Sequence, residues 1–323
     1  MPELPEVEYT ARQLRATVVG KAIREAVVFW ERTVGHPDLP DFLAEVAGRT
    51  IEGVRRRGKF LILDLSGDLF LSIHRRMTGN FLLLPAGWEI GTQLREADSL
   101  AWSTKGPFFR EDSQAQALSI ADDTAIGVTT RPITLSQTLY CRVCFNFTDG
   151  RRLLFTDPRK FGRVELWSRS REEEAFAGLG PEPLEETFSI ERFTEALARR
   201  KTGIKQALLT QDLVVGIGNI YADEALFYAG LHPLRRSNSL TRAEIQMLHE
   251  GIVAVLNKGI EHGGTSFNDY RDLWGEAGDN YSHVQVYQRN GKPCPHCGTE
   301  IERIVIAQRS THFCPSCQKL TVA

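Results

Sequence analysis

A proline directly behind Met1, with two glutamates close by, is the first grouping in this chain whose residue types and spacing can do chemistry: Pro2-Glu3-Leu4-Pro5-Glu6-Val7. Residue 2 is small, so removal of Met1 is expected and would expose a proline secondary amine. An α-amino group titrates near ~8 against ~10.4 for lysine, so about a tenth of it is unprotonated and nucleophilic at neutral pH. A secondary amine attacking a sugar C1′ gives an iminium that has no N–H to lose, and so acts as an electron sink for elimination. Glu3 and Glu6 are near enough to serve as acid/base and as an anchor for the ammonium. The same residues also suit a plain helix start, with proline in the first turn and acids at the positive end of the dipole.

The second grouping is Cys294-Pro-His-Cys297, sixteen residues, then Cys314-Pro-Ser-Cys317. Two C-x2-C pairs at this separation predict one structural Zn2+, because each pair straddles a tight turn and offers two thiolates to a tetrahedral ion. Four thiolates close the coordination shell, so the metal holds a hairpin and does no chemistry. His296 lies inside the first pair and is expected to face solvent. Cys141 and Cys144 share the spacing but sit in an alternating run, where residues three apart should point to opposite faces.

These groups need elements to position them. Val7, Ala11, Leu14 and Val18 recur at helical spacing over residues 3–18. Residues 51–84 and 139–167 alternate in short runs broken by turns such as Ser66-Gly67-Asp68, and predict antiparallel hairpins. Between them, residues 88–137 have weak periodicity and read as an insertion. Gly178–Leu184 reads as a linker, after which the period becomes helical: Ile190, Phe193 and Leu197, then Ile204–Leu209. Asn219 is positioned to N-cap a helix ending near Gly230. Thr241-Arg-Ala-Glu244 is a capping box for a helix with Ile245, Leu248, Ile252 and Val255 on one side, stopped by Gly263-Gly264.

The chain has 323 residues, 42% hydrophobic and 25% charged, with a net charge of -2. That suits about two soluble domains, and the acidic N-terminus is unlike a signal peptide. A cytoplasmic protein with no membrane association is expected. The charge is uneven: residues 89–123 carry -4 and residues 171–195 carry -6, leaving +8 elsewhere. The bases gather in clusters, among them Arg55-Arg56-Arg57-Gly58-Lys59 and Arg159-Lys160-Phe161-Gly162-Arg163. Such clusters can neutralise phosphates, or can be ordinary solvated strand and loop faces.

Met-Pro-Glu-Leu-Pro-Glu-Val-Glu at the N-terminus resembles the bacterial formamidopyrimidine-DNA glycosylase / endonuclease VIII family. Further stretches match in order: Arg57-Gly-Lys59-Phe60, His74-Arg-Arg-Met77-Thr-Gly79, Thr156-Asp-Pro-Arg159-Lys-Phe161-Gly162, Val214–Glu224 and the zinc tail with Gln308-Arg309-Ser310. The match covers nearly the whole chain except about 88–137. It implies an α+β protein: an N-terminal antiparallel β-sandwich domain with an N-terminal helix, then a helical helix-two-turn-helix domain with a C-terminal zinc-ribbon hairpin. The boundaries expected are 1–177, a hinge at 178–185, 186–283, and 284–323 for the zinc finger.

The resemblance implies a bifunctional DNA glycosylase/AP lyase in which Pro2 attacks C1′, with Glu3, Glu6 and Lys59 catalytic. Met77, Arg159 and Phe161 would fill the gap left by a flipped base, although core packing would also explain Met77 and Phe161. Asn219 and Arg309 resemble a phosphate clamp, with His74 and Lys160 as further DNA contacts. Gly216 and Gly218 would let the backbone approach, and the helix at Asn219 would offer N–H groups to an anion. Lys160 stands where the purine-directed branch usually has arginine, which loses bidentate geometry. Gly263–Tyr270, continuing to Tyr281, looks like the loop that closes over the base in that branch, and favours oxidised purines. The expected partner is double-stranded DNA with oxidised bases or abasic sites, bound by a monomer. The rivals are the same chemistry on oxidised pyrimidines and a non-catalytic DNA-damage binding protein.

Overall fold

The computed structural model describes residues 1–87, 140–267 and 269–320; the insertion at 88–137 lies outside them. Helix α1 (Leu4–Val18) carries Pro5 in its first turn, and the Glu3 N–H donates to Glu6 Oε2 at 2.7 Å. Its apolar face, Val7, Ala11, Leu14 and Val18, is fully buried in the first hydrophobic core, as the spacing predicts. Leu4 is one turn earlier and belongs to the second core instead. One helix is therefore rooted in both.

Two sheets enclose the first core. The five-stranded sheet runs β2 (Val34–His36), β9 (Arg163–Ser168), β5 (Leu69–His74), β4 (Phe60–Leu65), β3 (Ile51–Arg57). The four-stranded sheet runs β1 (Ile23–Val28), β7 (Cys141–Phe147), β8 (Arg152–Thr156), β6 (Asn80–Leu84). All pairs are antiparallel except β2 with β9. Helix α2 (Leu39–Val46) closes one end with Phe42 and Val46.

The expectation for Cys141 and Cys144 needs correction. Cys141 pairs with Thr156 and Val143 with Phe155, so Arg142 is an extra residue in β7. This bulge shifts the alternation by one, and both thiols join one apolar cluster with Leu82, Leu84 and Leu154. The displaced Arg142 is buried and donates from Nε to the Asp157 carbonyl at 2.8 Å.

The second core is helical. After the short α3 (Glu172–Ala175) come α4 (Ile190–Ala198), α5 (Ile204–Leu209), α6 (Asn219–Tyr228) and α7 (Arg242–Glu261). The predicted capping box opens α7: Thr241 Oγ1 accepts from the Glu244 N–H, and Glu244 Oε2 from the Thr241 N–H. Its buried face is Ile245, Leu248, Ile252, Leu256 and Ile260, with Val255 at the margin. The hairpin β10 (Glu302–Ile306)–β11 (Arg309–Phe313) follows, turned by Ala307 and Gln308 at positive φ. Among the described residues, no helix is long and apolar enough to cross a membrane.

The arginine run of β3 is half-buried and paired with acids of the chain itself. Arg55 pairs with Asp64 and Glu172, and Arg56 with Glu8 and Glu182. Arg57 reaches Glu182 at 3.0 Å and the Gly180 carbonyl at 2.6 Å. Glu182 also accepts from the Gly58 N–H at 2.6 Å and is buried. Two acids of the 171–195 stretch, Glu172 and Glu182, are thus the counter-charge of the basic strand. Glu182→Ala would remove the shared partner of Arg56, Arg57 and the Gly58 N–H, leaving Arg56 only Glu8 and Arg57 only carbonyls, and urea unfolding should show a loss of about 1–3 kcal/mol.

Candidate active site

The Glu3 side chain crosses from the first core into the second. Its carboxylate accepts from the N–H groups of Gly218 at 2.7 Å, Ile220 at 3.0 Å and Tyr221 at 3.4 Å. These are donors that the first turn of α6 leaves unsatisfied. The helix does offer N–H groups to an anion, but that anion is the chain's own Glu3. The glycines serve the same contact: a Cβ on Gly218 would lie 2.4 Å from the Glu3 carboxyl carbon, and one on Gly216 2.6 Å from the Leu4 side chain. The N-cap of α6 is Gly218, not Asn219.

Glu6 accepts from Tyr221 Oη at 2.8 Å and from the Thr265 N–H at 2.7 Å. Lys59, at the β3–β4 turn, is buried and donates to the Ile217 carbonyl at 2.8 Å. Burial pushes the Glu3 carboxyl up, opposed by the Lys59 charge and the Ile220 N–H. Burial likewise pushes Lys59 down, opposed by Glu3, with Arg309 adding to the fall. Met1 is exposed while Pro2 behind it is buried. Pro2, Glu3, Glu6 and Lys59 thus gather around the start of α6.

Met77, Arg159 and Phe161 come together at the surface. Arg159 Nη1 lies 3.0 Å from Met77 Sδ, and its guanidinium is 4.8 Å from the Phe161 ring centroid. Met77 is 41% exposed and Phe161 49%, which excludes core packing for either. Asp157 shapes the turn beneath them: Oδ2 accepts from the N–H groups of Phe161 at 2.8 Å and Gly162 at 2.7 Å, and Oδ1 from Thr78 Oγ1. Lys160 projects at positive φ over the Trp30 ring, 3.9 Å from its centroid. His74 accepts at Nδ1 from the Arg76 N–H and stacks edge-on to Phe60. Burial and the neighbouring cations push its pKa down to about 3, so it is a neutral imidazole.

Asn219 meets the residue after Arg309 where the zinc hairpin docks on α6. Asn219 Nδ2 donates to the Ser310 carbonyl at 2.9 Å, while its Oδ1 is buried without a partner. A fully buried ion pair fixes the hairpin: Lys205 Nζ lies 2.6 Å from Asp223 Oδ1, and reaches Thr311 Oγ1 at 2.8 Å. Asp223 Oδ2 also accepts from the His312 N–H at 2.9 Å. Glu224 accepts from the N–H groups of Gln285, Val286 and Tyr287 on the segment that enters the zinc module. One ligand atom from each of Cys294, Cys297, Cys314 and Cys317 lies within 4.8 Å of the others. The Sγ pairs 294–317 and 297–314 are 3.9 and 3.5 Å apart. Zn–S bonds of ~2.3 Å in a tetrahedron require about 3.8 Å, so the donor set fits one structural zinc. His296 is exposed as expected, its ring 4.6 Å from that of Phe227.

Several site residues carried no signal in sequence. Arg75 is the largest: fully buried, it donates to Gly79 O at 2.8 Å and Thr10 Oγ1 at 2.9 Å, and lies 5.1 Å over the Tyr270 ring. It joins α1, the Met77 turn and the segment after α7. In the sequence it is one arginine in a basic pair. Gly264 packs against Glu6, and Leu273 enters the first core and donates its N–H to Gln13 Oε1 at 2.9 Å, so both residues lie against the N-terminal helix.

Three family models match this chain. They are the formamidopyrimidine-DNA glycosylase N-terminal domain over residues 1–164, the formamidopyrimidine-DNA glycosylase H2TH domain over 179–271, and the zinc finger found in FPG and IleRS over 291–320. The architecture is therefore an N-terminal sandwich joined to a helix-two-turn-helix domain with a zinc hairpin. The chain belongs to the formamidopyrimidine-DNA glycosylase family. It is 38% identical to the formamidopyrimidine-DNA glycosylase of Enterococcus faecalis, over 99% of this chain and 98% of the relative. It is 40% identical to that of Herpetosiphon aurantiacus, over 98% and 100%. Among solved structures, a Lactococcus lactis FPG mutant in complex with Fapy-dG containing DNA superposes with a TM-score of 0.78 at 34% identity, covering 99% of this chain and all of that one. The L. lactis Fpg complex with abasic-site DNA gives 0.78 at 33%, covering 98% and 100%.

The neutral His74 makes a pH prediction. A histidine whose folded pKa lies below its unfolded value contributes stability that is present above pH ~6.5 and lost as pH falls toward the folded value. At pH 4.5 the loss is roughly 2–3 kcal/mol. Urea unfolding at pH 7.5 and 4.5 should show His74→Asn, which keeps an acceptor for the Arg76 N–H, losing less stability than wild type by about that amount.

Proposed function

We propose that this chain is a bifunctional DNA glycosylase/AP lyase of base excision repair that removes oxidised purines, 8-oxoguanine and formamidopyrimidines, from double-stranded DNA. The supporting observation is the buried Glu3 carboxylate, joined to α6 by three N–H donors and standing between the chain's N-terminus and Lys59. With Met1 removed, the Pro2 nitrogen attacks C1′ of the damaged nucleotide, and the C1′–base bond breaks as the base leaves with a proton. Protonation of O4′ then breaks the C1′–O4′ bond, and the iminium that forms between C1′ and the Pro2 nitrogen withdraws electrons from the sugar. Loss of a C2′ proton expels the 3′ phosphate, and a second elimination expels the 5′ phosphate.

Glu3 protonates and opens the deoxyribose in this reading. Its burial favours the protonated form, which is the one able to donate. Glu6 holds the terminal helix and amine, and Lys59 attends the lesion and its phosphate. Met77 and Phe161 enter the gap left by the flipped nucleotide, while Arg159 hydrogen-bonds the widowed base. Asn219, Arg309, Lys160 and the neutral His74 contact the strand, with Asn219 and Arg309 as the phosphate clamp. The four cysteines hold the zinc that keeps Arg309's hairpin folded. The working units are residues 1–177, a hinge at 178–185, 186–283 and 284–323. The protein acts in the cytoplasm as a monomer.

A second reading, excision of oxidised pyrimidines, has one specific observation in its favour. The L. lactis Fpg has been captured with an oxidized pyrimidine containing DNA, and that structure matches this chain at a TM-score of 0.77 and 34% identity. The 263–281 segment, as a cover for a purine, favours the first.

Borohydride trapping on 8-oxoguanine, formamidopyrimidine, thymine glycol and abasic duplexes separates these readings. A covalent adduct should form fastest on the purine lesions. Correctly processed protein that traps on no duplex would sink the enzyme reading, and faster trapping on thymine glycol would reverse the preference. Pro2→Gly should strongly reduce strand cleavage while sparing binding, and Glu3→Gln should slow trapping by about 10²–10⁴-fold. Zinc removal should unfold the hairpin and weaken DNA binding; apo protein with full affinity would contradict the role given to Arg309.

A further inference from the structure

A second group of metal-ligating side chains stands at the foot of the 263–281 segment, away from the cysteines. His262 caps the C-terminus of α7, and Asp279 and His283 lie on the far side of the segment, at the turn Asn280–His283. The two roots are fixed to each other by the backbone, since the Asp279 N–H donates to the His262 carbonyl at 2.9 Å. One ligand atom from each of the three residues lies within 4.8 Å of the others. His283 Nε2 is 3.3 Å from Asp279 Oδ2, and the two imidazoles stack with centroids 3.6 Å apart. Asp279 is exposed and both histidines are half-buried, so an ion can reach them.

We propose that His262, Asp279 and His283 bind a divalent transition-metal ion of the Zn2+ class. Two imidazoles and one carboxylate suit Zn2+, Co2+, Ni2+ or Cu2+, whereas Mg2+ and Ca2+ prefer oxygen donors. Zn–N and Zn–O bonds of ~2.0–2.2 Å in a tetrahedron place donors about 3.4 Å apart. The His283–Asp279 pair already has that separation. Rotation of the His262 ring out of the stack supplies the third donor, and water completes the shell. The opposing charge is Lys258, whose Nζ is held on the His283 carbonyl at 3.3 Å. The ion would bridge both roots of a segment whose Thr265 N–H sits on Glu6. It is thus a staple for that segment, distinct from the cysteine site, and its existence does not depend on the glycosylase reading.

The test uses the full chain with its cysteine-bound zinc in place, equilibrated with micromolar Zn2+ and analysed for metal per chain. Wild type should hold two equivalents, and His262→Ala and His283→Ala one each; the retained equivalent reports that the zinc hairpin is intact. Zn2+ should slow amide hydrogen exchange across 263–282 in wild type and leave it unchanged in His283→Ala. One equivalent in wild type, or a second equivalent that survives both substitutions, would overturn the site.

Discussion

The insertion of one carboxylate into the start of one helix is the contact on which the rest of this structure depends. Glu3 satisfies three N–H donors of α6, and the positive end of the helix dipole favours the negative charge it meets there. Because Glu3 directly precedes α1, the contact fixes where the N-terminus lies relative to the helical core. Glu6 repeats the device one turn later with the Tyr221 hydroxyl and the Thr265 N–H. Burial sets the two sides of this arrangement against each other: it disfavours charge on both Glu3 and Lys59, and their mutual attraction restores part of it.

Charge elsewhere follows a similar economy. A chain with a net charge of -2 has ample arginine for an anionic partner only if its acids are occupied elsewhere. Many are occupied internally. Glu182 holds Arg56, Arg57 and the Gly58 N–H, and Glu172 holds Arg55. Other arginines stand at the surface, among them Arg159 beside exposed Met77 and Phe161, and Arg309 at the start of β11. The densest basic run in the sequence is therefore structural, while the sparser cations stand at the surface.

Much of this was legible in sequence where local spacing decides geometry. The four cysteines, the apolar face of α1 and the Thr241 capping box each follow from the covalent repeat of a turn or helix. Contacts between distant residues were not. Nothing near Glu3 announces Gly218, Ile220 and Tyr221 as its partners, and Arg75 looks like a surface base until Thr10 and Tyr270 close around it. The parity argument for Cys141 and Cys144 failed because one extra residue in β7 reverses the alternation, and alternation cannot report a bulge. The glycines of the 214–219 loop were read as room for an incoming phosphate. They make room for Glu3 and Leu4.

Helix α1 has its first residue in the helical core and the next three turns in the sandwich core. Leu4 ties the N-terminal nitrogen to the helical core, and Val7 to Val18 tie it to the sandwich core. A change that loosens either core is therefore felt at residue 2, even from a position far from it in sequence.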